Sequence, residues 1–131
     1  MTAPAGRTDA LGDLQGTIEV QRIGCELAGS PLYAEVLQVV ADDVAAGGPC
    51  ADVLAPVAGL PFGDAVLLRF LGGVHRLVLD GHEPALAAQF PSAGGTPDHA
   101  LGPLFVAAVD RHRERLAASL TSGVQTNEVG R

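Results

Sequence analysis

Apolar residues recur along this chain at intervals of three and four and are separated by clusters of glycine and proline, the pattern of short amphipathic helices. From Asp13 to Leu27 the spacing predicts a helix, with Glu19, Arg22 and Glu26 placed for i,i+3 and i,i+4 pairing. Gly29-Ser30-Pro31 then supplies a break, an N-cap and a proline at the first helical position. The next helix, about 31–46, collects Tyr33, Val36, Leu37, Val40 and Val44 on one face and Glu35, Gln38 and Asp42 opposite. Gly47-Gly48 ends it, and Pro49 opens a short helix over about 50–57.

Gly59 to Gly63 reads as a loop, and Asp64 is the expected N-cap of the helix after it. From Ala65 to Leu79 apolar residues lie nearly all round, which marks a central helix. A strand fifteen residues long is excluded by the usual length of strands. At 100° per residue the remaining stripe of this helix is Arg69, Gly72, Gly73, Arg76 and Asp80. Gly81 stops it, Pro84 to Phe90 gives two further turns, and Pro91 to Pro97 is a loop rich in breakers. A last long helix, regular from near Gly102 because Pro103 is awkward inside it, carries Leu101, Leu104, Phe105, Ala108, Leu116 and Leu120, and Thr121-Ser122-Gly123 closes it. The expected fold is all-α, a compact bundle of five to six helices around the apolar helix at about 65–80. Residues 1–10 are expected to be a flexible tail, 11–123 the helical domain, and 124–131 the start of a further helix.

Composition supports that picture. Of 131 residues 47% are hydrophobic, which excludes intrinsic disorder, and one modest core is the natural outcome. Aromatics are only 4%, so the core must be made of Leu, Val and Ala packed closely. All strong positive charge is arginine; eight Arg with no Lys, amid abundant Ala, Gly and Pro, points to a GC-rich bacterial genome. A net charge of −7 argues against a nucleic-acid partner and against attraction to an anionic membrane. The N-terminal residues lack the pattern of a signal peptide, and the longest apolar run is interrupted by Arg69, His75 and Arg76, so a cytoplasmic protein is expected.

Candidate chemistry is sparse. His75 lies on the apolar side of its helix, where it serves either as a core histidine with both ring nitrogens partnered or as an acid–base group. Its neighbour Arg76 is placed to pair with Asp80 at i+4. These two are the weak catalytic candidates, and no nucleophile is near them in sequence. Cys25, Cys50, His75, His82, His99 and His112 show no metal-ligand spacing, and the cysteines fit neither a redox motif nor a disulfide framework, so no metal is expected. Gly94-Gly95-Thr96 before a helical turn offers backbone N–H groups to an anion, but it lacks the Lys of a phosphate loop and does not follow a strand, and a linker between helices is the favoured reading. Arg111, Arg113 and Arg115, interleaved with Asp110 and Glu114, read as a solvated face, with His112 in the apolar stripe. Gln125, Thr126, Asn127 and Glu128 form the densest polar cluster; Thr126 or Asn127 is placed to cap a further helix, and the four are candidate cleft residues.

Three blocks together resemble an uncharacterised bacterial family common in actinobacteria, domain of unknown function 2332. The first runs from Cys25 through Gly29-Ser30-Pro31-Leu32-Tyr33-Ala34 and Ala41-Asp42-Asp43 to Gly47-Gly48-Pro49. The second is Leu71 to Leu79, continuing through Phe90-Pro91 to Gly94-Gly95-Thr96, and the third is Val124 to Arg131. The resemblance implies an N-terminal helical region placed before an α/β domain whose Gly-rich turn resembles that of nucleotide-fold methyltransferases. That turn is absent from this sequence, so no cofactor and no turnover are expected of the chain alone. The expected function is therefore a substrate-cleft or docking part of a longer two-domain methyltransferase-like protein. The alternative is a small stand-alone helical interaction or ligand-binding module. With a mean hydropathy of +0.28, the partner expected is either a second copy or the missing α/β domain.

Overall fold

The computed structural model describes residues 5–58 and 63–120, with the backbone alone for 5–10 and 63–65. The described residues form helices and turns without a strand. The helices are α1 (Ala5–Leu27), α2 (Pro31–Ala45), α3 (Pro49–Leu54), α4 (Gly63–Leu79), α5 (Pro84–Ala87), α6 (Leu101–Arg111) and α7 (113–120). Single 3₁₀ turns come after α3 at Ala55–Val57 and before the last loop at Pro91–Ala93.

The glycines close the helices where the sequence places the breaks. Gly81 sits at φ +82°, so its N–H reaches Val78 while His82 N–H reaches back to Leu77. Gly29 and Gly47 end α1 and α2 with the same pair of bonds. At the start of α2, Ser30 is the N-cap residue before Pro31, yet its hydroxyl makes no capping bond. The start of α3 is capped from a distance instead. Asp43 Oδ2 accepts the Cys50 N–H at 2.7 Å, which satisfies an otherwise orphaned donor in the first turn. Gly48 is glycine because a Cβ there would overlap the Asp43 carboxylate.

Four boundaries differ from expectation. Helix α1 begins at Ala5, so residues 5–10, expected as tail, are helical in backbone; no proline interrupts Ala5 to Leu27, and single glycines are tolerated in a long helix. Helix α3 tightens into a 3₁₀ turn at Ala55 because Pro56 has no N–H to continue the α pattern. Helix α6 starts at Leu101 and holds Pro103 in its first turn, where no intrahelical donor is needed. The long last helix is two helices. His112, at φ −117° and ψ +28°, leaves the helical region and separates α6 from α7, raising the number of α segments to seven among the described residues. The loop before Gly63 and the chain from Thr121 onward, with the candidate cleft residues Gln125 to Glu128, lie outside the described residues. So does the Asp64 side chain, whose capping role was expected.

Helices α1 and α2 form an antiparallel pair closed by Leu14 and Ile18 against the Val36, Leu37, Val40 and Val44 face, and Gln15 Nε2 donates to the Ala41 carbonyl at 3.0 Å. Helix α4 contributes the largest set of buried side chains, while α2 is the helix that packs on α1, α3 and α6. Val66, Leu67, Phe70, Leu71, Val74, Leu77 and Val78 are buried, and Phe70 meets Phe105 of α6 edge to face at 6.3 Å. Burial is not complete all round, however. Leu68 and Leu79 are 57% and 54% exposed, so α4 keeps an open outer face. No helix of the described residues is long and apolar enough to cross a membrane.

Candidate functional site

The open face of α4 carries the non-apolar stripe of its sequence, and three polar groupings occur among the described residues, one of them on that face. The first centres on His75. Its Nε2 lies 2.8 Å from Ser92 Oγ, and its Nδ1 lies 3.4 Å from the Tyr33 hydroxyl. The ring stacks on Phe90 at 5.6 Å and meets the Tyr33 ring edge-on at 6.4 Å. Both nitrogens thus have partners, drawn from α2 and from the 3₁₀ turn at Pro91–Ala93. Burial, and secondarily the nearby Cys25, pushes the Tyr33 hydroxyl above its ordinary value, so it stays protonated beside Nδ1.

A serine beside a histidine held by a third group has the outline of an activated nucleophile. The surrounding backbone does not complete it. The N–H groups of Ala93, Gly94, Gly95 and Thr96 donate to the carbonyls of Phe90, Pro91, Phe90 and Ala88 at 2.8–3.0 Å, leaving none of them to hold an oxyanion. The same bonds overturn the anion-binding reading of Gly94-Gly95-Thr96. That loop folds back on α5, and Gly95 is required because a Cβ would overlap the Ala88 carbonyl group.

The second grouping was invisible in sequence. Glu83, whose side chain is 5% exposed, accepts from Arg111 Nε at 3.0 Å and Nη2 at 2.5 Å, and its Oε2 lies 2.8 Å from His112 Nε2. The Arg111 bonds come first, and the His112 bond adds to them, in holding the Glu83 carboxyl below its ordinary value against the opposing effect of burial. The break at His112 is what lets consecutive residues face the same carboxylate. Arg113 stays on the solvated face assigned to it, bonding Asp110 at 2.7 Å and pairing with Asp52 across to α3. His82 approaches His112 with ring centroids 6.3 Å apart, but no group of three or more potential ligands able to hold a metal occurs among the described residues. Both cysteines are free thiols, Cys50 buried and Cys25 half-buried.

The third grouping is a concavity of about 330 Å³ between α4 and α7. Gly72 and Gly73 form its floor, Arg76 and Asp80 stand on one side, and Arg115 and Ser119 on the other. Arg76 Nε lies 3.5 Å from Asp80 Oδ2, the i,i+4 pair its spacing predicts. Gly73 admits α7 closely, since a Cβ there would lie only 3.0 Å from Leu116 Cδ2. The volume falls in the range of small-molecule sites. Of the two sequence candidates, Arg76 lines this groove, whereas His75 turns away to Tyr33, Phe90 and Ser92. Arg115, read as part of a solvated face, is the groove residue that sequence reasoning missed. Its signal was the shared face of α7 with Ser119 four residues on.

No curated protein and no solved structure matches the chain. A family model does, over residues 17–131, the span that contains all three groupings. The chain belongs to a family of uncharacterised proteins conserved in bacteria, domain of unknown function 2332.

Proposed function

We propose that this helical domain forms a substrate cleft and acts as part of a longer, two-domain, methyltransferase-like protein, without turnover of its own. The observation that carries the reading is the groove between α4 and α7, which has charged walls and a glycine floor, and whose lining hydroxyl, Ser119, has no histidine and no metal cluster beside it among the described lining residues. Such a surface can hold a substrate and leaves the reacting group to be supplied from elsewhere. The family resemblance supplies the second support, through the α/β segment that it implies. Gln125, Thr126, Asn127 and Glu128 are proposed to line a cleft between the helical domain and that α/β segment. A cytosolic setting suits two unpaired thiols.

The test is a thermal shift with S-adenosylmethionine on this chain and on a full-length family member carrying the Gly-rich turn. The longer protein should gain several degrees in melting temperature, and this chain should not move. A concentration-dependent shift in this chain would place the cofactor site within it, and no shift in the longer protein would sink the methyltransferase reading.

A second reading, a docking module, is favoured by one observation. Val20, Ile23 and Leu27 lie on one stripe of α1 and are 67%, 43% and 85% exposed. Self-association through that stripe would give a dimeric mass in light scattering, which Ile23→Glu should return to the monomer.

A further inference from the structure

Two concavities meet on the open face of α4, and Gly72 lines both. One is the groove against α7. The other, about 260 Å³, opens toward α1 and α2 and is walled by Cys25, Tyr33, Leu37, Leu68 and Leu71. Leu68 and Arg76 lie one residue quartet before and after Gly72, so each is offset from it by about 40° around the helix. The row Leu68-Gly72-Arg76 thus passes from the apolar concavity to the charged one over about 12 Å of helix, at 1.5 Å per residue.

Gly72 has no packing reason to be glycine. A Cβ there would meet no atom within 4 Å, in contrast to Gly73 beneath Leu116. Its φ does not call for glycine either, since it lies within the regular part of α4 and is not among the positive-φ residues. Glycine inside a helix weakens it relative to alanine. What Gly72 provides in return is a floor without a side chain where the two concavities join. The charge at one end is also out of keeping with the chain. On a protein of net charge −7, the lining of the α7 groove holds two guanidinium groups, Arg76 and Arg115, against the single carboxylate of Asp80. Arg76 is engaged with Asp80, while Arg115 has no ion pair among the described residues.

We propose that this trough binds a small amphiphilic anion, a monocarboxylate of medium chain length. Its apolar body lies over Gly72 against Leu68, Leu71 and Tyr33, and its carboxylate faces Arg115 and Arg76. Arginine suits the head because its planar fork matches a carboxylate bidentately. The Leu68 surface suits the tail because it is otherwise left in water. The inference concerns this domain alone and stands or falls independently of any downstream methyltransferase domain.

The experiment is isothermal titration of the full chain with decanoate, with acetate as the head without the tail and decyltrimethylammonium as the tail with the opposite charge. Decanoate should bind at least tenfold more tightly than either. Gly72→Leu should weaken decanoate binding tenfold or more by filling the junction, and Arg115→Gln should do so with an unchanged melting temperature. Gly72→Ala is the internal control for folding, since it should raise the melting temperature while weakening decanoate, a combination that loss of structure cannot produce. Absence of decanoate binding at millimolar concentration overturns the proposal. Equal binding of the cationic amphiphile, or unchanged affinity in Gly72→Leu and Arg115→Gln, does so as well.

Discussion

Glu83→Gln tests how much the buried carboxylate between α5 and α6 contributes, because it removes a charge while keeping the shape. Glu83 is nearly enclosed, its side chain 5% exposed, whereas Arg111 is 55% and His112 21% exposed. A fully buried pair broken on one side costs about 3–5 kcal/mol. Here the orphaned arginine can return to water, so the loss is smaller. Glutamine keeps one acceptor oxygen but turns an amide NH₂ toward Arg111 or His112, donor against donor. With hydrogen bonds to charged groups contributing about 1.5–3 kcal/mol, the expected destabilisation is about 2 kcal/mol at neutral pH. That is a large share of the roughly 5–15 kcal/mol of an ordinary small domain.

The pH dependence separates charge from shape. The folded-state value of Glu83 lies below its unfolded one, so its stabilisation is complete above the unfolded value and is lost as pH falls through the folded one. Glutamine does not titrate. The gap between parent and variant, read from urea unfolding followed by circular dichroism, should therefore be widest near neutrality and close from about pH 5 downward. Arg111→Gln added to Glu83→Gln should cost little more, because the shared interaction is already gone. A gap that stays constant down to about pH 3, or one below about 0.5 kcal/mol at neutrality, would refute the reasoning.

The remaining buried polar groups carry two further expected outcomes. His75→Ala should lower stability by about 1–3 kcal/mol, since it leaves the Tyr33 hydroxyl without its partner and opens a space beside Phe90; an unchanged melting temperature by calorimetry would show that His75 is not structural. Burial first, and the neighbouring Asp43 carboxylate second, push the Cys50 thiol well up, so in the native protein a thiol-specific reagent should modify Cys25 alone. Rapid reaction at both thiols before unfolding would contradict the buried setting of Cys50.

Local grammar carries most of the fold. Gly29, Gly47 and Gly81 break the chain where their positive φ ends three helices, and the Val36–Val44 face of α2 is buried as its spacing dictates. Boundaries that depend on side chains far along the chain were not legible. The division at His112 makes sense only once Glu83, 29 residues earlier, stands opposite it. A histidine within an apolar stripe did signal that some buried partner was needed, without saying which. Ser92 gave less warning, being an ordinary loop serine until α4 and α5 bring it to His75. The groove was half legible. The stripe Gly72, Gly73, Arg76 and Asp80 was apparent from angular spacing, but nothing in the sequence said that Arg115 and Ser119 would face it across a gap.

The interrupted joint between α6 and α7 bears on how these sequences can vary in length. Each residue inserted into a helix turns everything beyond it by about 100° and advances it by about 1.5 Å. One residue added between His112 and Arg115 would leave Arg111 and His112 on Glu83 while swinging Arg115 and Ser119 away from the groove. It would also lift Leu116 off Gly73, where the spacing is already tight. An insertion within α6 before Arg111 would turn Arg111 and His112 off the buried carboxylate and carry Arg115 and Leu116 with them. The joint can therefore accept changes of residue type at its exposed positions but not a change in residue number, so insertions in related sequences should fall in the loop before α6 and leave the stretch from Arg111 to Leu116 at constant length.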